Sequence, residues 1–347
     1  MPRPPTPRFT IGLISLQIGS QHQPDLQRPS PDEYTEYATI RPDNCVSVGD
    51  RIDDWDPHMT ANATSVAGVR MPQLVRNALV LSFIAGWTAT AAADDEPLFA
   101  DKNLEAAVRK VLRKSDSDEL KPEDLLNVYV MKSRGREIKD LAGLEKCTNL
   151  AELNLAENEI GDVAPLADLK HLQSLDLSKN RIGDVAPLAG LTKLQYLQLE
   201  DNQIQSLESL AGLEKLSALY LSRNKVEKVD GLAGLKKLVS LYLDGNQVSD
   251  LAPLKGLTWL SSLGLSGNQI EKVAPLGDMT ELRYTFLQNN QISDIAPLVD
   301  MAQRDVDGDK RFAPYWHLYL GENPLSDESS QQHVEKLKSL GVRIKLE

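Results

Sequence analysis

From about Leu150 to Leu325 the chain repeats one short pattern of apolar and polar positions. One copy reads Leu172-Gln-Ser-Leu175-Asp-Leu177-Ser-Lys-Asn180-Arg-Ile182-Gly-Asp184-Val-Ala-Pro187-Leu188. Leu175 and Leu177 alternate with polar neighbours, which predicts a short half-buried strand. The asparagines Asn158, Asn180, Asn202, Asn224, Asn246, Asn268 and Asn290 stand 22 residues apart. The next in frame is Asn323, 33 residues after Asn290, because an 11-residue insert lies within 301–314. Seven copies at one period predict stacked coils whose strands form a parallel sheet, about 4.8 Å from strand to strand.

The repeat also assigns the inside. The asparagine is the one polar residue that every coil turns inward, and its amide can both donate to and accept from backbone groups where the chain leaves the strand. Pro165, Pro187, Pro253, Pro275 and Pro297 share a later frame position. Proline there rules out a central strand and suits a 3₁₀ turn on the convex side. Cys147 falls in frame with Leu169, Leu191 and Leu213, so it reads as a small buried hydrophobe.

A stack of coils exposes its core at both ends and needs caps. Over 94–127, Leu104, Val108, Val111 and Leu112 share one helical face, and a second short helix is expected from Pro122 with Leu125 and Leu126 inward. The repeats then run over 128–325 as about nine coils. The first is degenerate, with Arg136 where the asparagine belongs. Over 326–347, Ser326 reads as a helix N-cap, Val334, Leu337 and Leu340 as an inward face, and Val342 to Leu346 as a closing strand.

This frame resembles that of the leucine-rich-repeat family, in the 22-residue form of bacterial internalin-like proteins, and the resemblance covers about 98–347. It implies an α/β fold: a leucine-rich-repeat solenoid, a curved right-handed β–3₁₀ superhelix with its parallel sheet on the concave face. It further implies a helical N-terminal cap and a helix-strand C-terminal cap. Its functional implication is a secreted module that binds a protein through the concave face and is expected to be monomeric. A second resemblance is to the leucine-rich regulatory subunit of type 1 protein phosphatase, an intracellular regulator.

A second pattern lies well before the repeats. A basic start at Met71 leads into the apolar run Asn77 to Trp87, then small residues ending at Ala91 and Ala93, then Asp94-Asp-Glu. That is the layout of a secretory signal over 71–93, too short for the ~20 apolar residues of a membrane span. It favours a secreted, periplasmic or envelope location over the phosphatase-regulator reading. Residues 1–70 are rich in Pro, Arg, Gln and Asp without periodicity and read as a disordered or over-translated leader, with Met71 as the true start.

Composition narrows the chemistry. The net charge is −12, which disfavours a phosphate backbone and hence nucleic acid as partner. No phosphate loop, nucleophile elbow or zinc-protease motif occurs, and no cofactor or enzymatic activity is expected. His171 and His333 read as surface residues. Asp305, Asp307 and Asp309 resemble part of a calcium loop, but the glycine is one position early and the bidentate Glu is missing, so an exposed acidic turn is the preferred reading and no metal is expected.

The positions that alternate with the strand leucines face outward on the sheet. They place Tyr196, Gln198, Tyr220, Tyr242, Asp244, Tyr284, Phe286, His317 and Tyr319 together as the expected partner-binding surface. The chain is only 5% aromatic, so six aromatic residues on one face is a concentration. Aromatic anchors among small polar residues are what protein interfaces use. The alternatives are a general strand preference for aromatics, carbohydrate stacking on tyrosine faces, or a structural role in an envelope matrix.

Overall fold

The structure is a computed structural model that describes residues 97–346. The leader over 1–70 and the signal over 71–93 lie outside the described residues. Ten strands form one parallel sheet in strict chain order. They are β1 Val130–Lys132, β2 Glu152–Asn154, β3 Ser174–Asp176, β4 Tyr196–Gln198 and β5 Ala218–Tyr220. They continue with β6 Ser240–Tyr242, β7 Ser262–Gly264, β8 Tyr284–Phe286, β9 His317–Tyr319 and β10 Arg343–Lys345. In seven of these ten strands, β2 to β7 and β9, the middle residue is a buried leucine, flanked by residues that face away from the core. The return segments are short 3₁₀ turns, several with proline in their first turn, such as Ala164–Leu166 and Ala186–Gly190. Proline fits there because its missing N–H is one that the first turn leaves unused.

The asparagines lie inside and fasten each coil to the one before it. Asn224 is typical. Its Nδ2 donates to Leu221 O in its own coil (2.9 Å) and to Leu199 O in the preceding coil (2.9 Å). Its Oδ1 accepts from the Ile204 backbone N–H at 3.0 Å. The set repeats at Asn323, which bonds to Leu287 O, Leu320 O and the Ile292 N–H, so the register survives the insert. In the degenerate first coil the backbone N–H of Arg136 donates to Asn158 Oδ1. The residue before each asparagine is left-handed: Glu157, Lys179, Asp201, Arg223, Asn289 and Glu322 hold φ between 52 and 58°. Only Gly245 and Gly267 avoid the Cβ crowding of that region, so elsewhere the ladder holds a conformation that costs about 1 kcal/mol per residue.

Cys147 is fully buried, and burial, with the nearby Glu145 carboxylate, pushes its thiol up to about 12. The thiolate is the reactive form, so a raised pKa and burial both suppress chemistry. Iodoacetamide at about pH 8 is expected to leave the Cys147 peptide unmodified in the native protein and to alkylate it fully in denaturant. Mass spectrometry of that peptide checks this, and native labelling at the unfolded rate would contradict the burial.

At the N-terminal end, α1 Lys102–Leu112 buries Leu104 and Val108, with Val111 and Leu112 half-buried. Asp101 caps it: Oδ1 accepts from the Asn103 and Leu104 N–H groups, while Oδ2 accepts from Lys139 and Asp140 in the first coil. One carboxylate thus ties the cap to the solenoid. In α2 Pro122–Leu125, Leu125 is buried but the following Leu126 is 44% exposed, so only one of the two leucines expected inward points there.

The insert differs from the sequence expectation of an acidic turn. The return segment after β8 lengthens into α3 Ala296–Asp307, so Asp305 and Asp307 are helical. The Asp305 carboxylate accepts from the backbone N–H groups of Arg311, Phe312 and Ala313, which closes the turn after the helix. Its oxygens are therefore committed to the chain itself, and among the described residues no acidic or histidine cluster is arranged for a metal ion. Phe312, Ala313 and Trp316 are buried beneath this turn. Trp316 Nε1 donates to Thr285 Oγ1 at 2.8 Å, and Thr285 holds the inward position that leucine holds in the adjacent strands β7 and β9.

At the C-terminal end, Ser326 Oγ accepts from the Ser329 N–H, a π-turn over Ser329–His333 leads into α4 Val334–Ser339, and Val334 and Leu337 are buried. His333 is half-buried beside Ser329 and not a plain surface residue.

Candidate functional site

The outward face of the sheet carries three columns set by strand register. Pairing puts Gln198, Tyr220, Tyr242, Gly264, Phe286 and Tyr319 in one row across the sheet. Tyr284 pairs with His317, and His317 with Arg343. Adjacent strands are close enough for the rings to touch. Tyr196 and Tyr220 lie 5.4 Å apart by ring centroid, Tyr220 and Tyr242 5.3 Å with planes 4° apart, and Phe286 and Tyr319 4.7 Å. Tyr284 stacks on His317 at 5.0 Å.

Gly264 removes one rung, yet the strip is not broken. Two strand spacings would separate upright rings by about 9.6 Å, whereas Tyr242 and Phe286 lie 6.4 Å apart. They lean together over the glycine. A Cβ there would come within 2.3 Å of Asp244 Oδ2 and 2.6 Å of Tyr242 Cδ1, so the missing side chain is what lets the strip close.

The expected site residues therefore share one face, but they are less exposed than their alternation implies. Tyr196, Tyr220, Tyr242, Phe286, His317 and Tyr319 are half-buried against one another, and Tyr284 is 44% exposed. Burial pushes the Tyr220 hydroxyl up to about 12, with Tyr242 adding to it, and raises Tyr196 and Tyr242 as well. These phenols stay protonated at any physiological pH and act as hydrogen-bonding groups. Tyr196 already donates to Gln198 Oε1 at 2.5 Å. Asp244 accepts from the Ser266 N–H at 2.8 Å and from Ser222 Oγ at 3.2 Å, and burial raises its carboxyl and that of Glu200.

The face is also polarised. Glu152, Asp176, Glu200 and Asp244 occupy its first two thirds. The last strands bring Arg283, His317, Arg343 and Lys345 together, with Lys345 Nζ 5.2 Å over the Tyr319 ring. A cavity of about 380 Å³ opens there, lined by Arg283, Tyr284, Tyr315, His317 and Arg343. Burial, then the Arg343 and Lys345 charges, hold His317 below its ordinary pKa, and its Nε2 lies 3.1 Å from Arg343 Nη1. The sequence reading included His317 but missed Arg283, Tyr315 and Arg343. Arg283 and Tyr315 lie outside the strand alternation, and Arg343 belongs to the capping strand.

Comparison with known proteins agrees with this architecture. Family models described as leucine-rich repeat match residues 171–226, 214–256 and 146–164. No curated protein matches the chain by sequence. Among solved structures, an internalin (inlF) from Listeria monocytogenes is 31% identical with a TM-score of 0.63, over 72% of this chain and 69% of that one. An internalin C2 (inlC2) from the same organism is 34% identical with a TM-score of 0.56, over 59% of this chain and 91% of that one. A leucine-rich-repeat protein of Leptospira interrogans, at 22% identity and a TM-score of 0.50, shares the fold. Repeat frame, sheet topology and similarity to both internalins converge: the chain belongs to the bacterial internalin-like leucine-rich-repeat family.

Proposed function

We propose that this protein is a non-catalytic binding module of the secreted or envelope compartment, which docks a protein ligand on the concave, solvent-facing side of its sheet. The observation that carries the reading is the aromatic strip from Tyr196 to Tyr319, continuous across six strands and flanked by hydrogen-bonding side chains. Half-buried, mutually braced rings lose little entropy on binding and present large contact area, the properties of interface anchors. The layout around Met71–Ala93 supports export, and no described helix is long and apolar enough to cross a membrane.

Carbohydrate binding is the second reading. It is weakened by the stacking itself, because the Tyr220 and Tyr242 faces a sugar would cover lie against each other at 4°. The phosphatase-regulator and structural-matrix readings have no specific feature of the sheet face in their favour.

The test is affinity capture from envelope extracts with the full chain, compared with the Tyr220→Ala/Tyr242→Ala double variant. Each truncated hot-spot aromatic costs about 2 kcal/mol or more, so capture of a specific protein should weaken at least roughly tenfold. Trp259→Ala, 67% exposed and outside the strip, serves as the control and should bind normally. Undiminished capture by the double variant would move the site off this face, and selective retention of glycans on an array would favour the carbohydrate reading.

A further inference from the structure

The basic cavity at the end of the sheet has no counter-charge of its own. Arg283 leaves Nη1 buried without a hydrogen-bond acceptor among the described residues, while its guanidinium lies 5.5 Å over the Tyr315 ring. Arg343 gives Nη1 to the His317 ring and not to a carboxylate. Among the described residues no carboxylate lies within ion-pair distance of either arginine, although the chain carries 50 acidic residues. The contrast with other arginines is direct: Arg223 is held by Asp201, Arg181 by Glu159, and Glu281, at the edge of the same coil as Arg283, is already taken by Arg311.

Two guanidinium groups gathered beside one cavity repel each other, and a buried donor without an acceptor costs free energy. An anion in the cavity relieves the repulsion. A planar carboxylate suits the guanidinium fork, since two parallel N–H groups meet its two oxygens. Tyr284 and Tyr315 line the cavity beside the two arginines with ring surface. We propose that the cavity bounded by Arg283, Tyr284, Tyr315, His317 and Arg343 binds a carboxylate side chain from an acidic peptide segment of the ligand. The assignment of a peptide as the source rests on the sheet face being a protein-docking surface, because the Tyr284–His317 pair of the cavity stands on the same two strands as Phe286 and Tyr319 of the tyrosine strip. The carboxylate chemistry itself stands on the cavity alone.

The experiment titrates the full chain with fluorescently labelled, end-capped hexaglutamate at low ionic strength, read by anisotropy. The parallel arms are hexaglutamine and an oligogalacturonate of equal charge. Hexaglutamate is expected to bind in spite of the protein's net charge of −12, to weaken as salt is added, and to outcompete both other probes. Loss of a charged hydrogen bond predicts about tenfold weaker binding in Arg283→Gln and again in Arg343→Gln. Arg343 is exposed on the last strand and Arg283 half-buried, and an unchanged circular dichroism melt verifies folding of both variants. Tyr220→Ala/Tyr242→Ala should leave hexaglutamate binding intact, so failure of this site and failure of the docking surface give different patterns. Absence of hexaglutamate binding, or binding as tight as the unaltered protein's in both arginine variants, overturns the proposal, and tighter binding of the oligogalacturonate overturns the peptide assignment.

Discussion

Asn224→Ala is expected to destabilise the fold by about 3 kcal/mol, near the top of the range for orphaned buried polar groups. The amide bridges two coils, accepting from Ile204 N–H and donating to Leu199 O and Leu221 O, and all of these groups lie within the core stack. Alanine removes the bridge and admits no replacement donor or acceptor, so the Ile204 N–H is left dry. The position matters as much as the residue. Asn323 makes the same bonds but is only half-buried, and water can take over part of its role, so Asn323→Ala should cost roughly half as much. Urea unfolding of both variants measures the difference. A loss below about 0.5 kcal/mol for Asn224→Ala, within the usual range of surface substitutions, would mean that the ladder does not hold the coils.

Trp316→Ala should be the more damaging change, costing about 4 kcal/mol as other buried tryptophan truncations do. Trp316 is fully buried, packs on Phe312 at 5.5 Å, and is the hydrogen-bond partner of Thr285 inside the sheet. Truncation opens a large void and orphans the threonine hydroxyl in the same step. The pair can be dissected. Trp316→Phe keeps most of the packing and loses only the hydrogen bond, so it should cost about 1–2 kcal/mol, and Thr285→Val should cost a similar amount by stranding the indole N–H. If the two single losses and that of the double variant Trp316→Phe/Thr285→Val simply add, the hydrogen bond contributes nothing.

The two cases separate what the sequence reveals from what it hides. The asparagine spacing exposes the ladder because a periodic constraint writes itself into every coil, and Asn158 to Asn323 all make the bonds their frame position implies. The Thr285–Trp316 pair is invisible to that logic: it occurs once, across the insert, and each residue alone reads as an irregularity. The insert hides its fold for a related reason. The spacing of Asp305, Asp307 and Asp309 reads as an acidic turn, whereas the fold uses Asp305 to collect three backbone N–H groups after a helix. On the sheet face, alternation identified the aromatic columns. It gave no hint that Tyr242 and Phe286 meet over Gly264, because that contact depends on how side chains lean and not on which way they point. Arg283 and Arg343 escaped notice because one sits a residue ahead of its strand and the other on the cap.

The strict chain order of the ten strands bears on how the molecule reaches its native state. Each strand pairs only with segments already synthesised or next to be synthesised, so no closure awaits a distant terminus. A chain threading out of a narrow conduit, amino end first, can add one coil at a time to those already formed, because each new strand needs only the neighbour that precedes it.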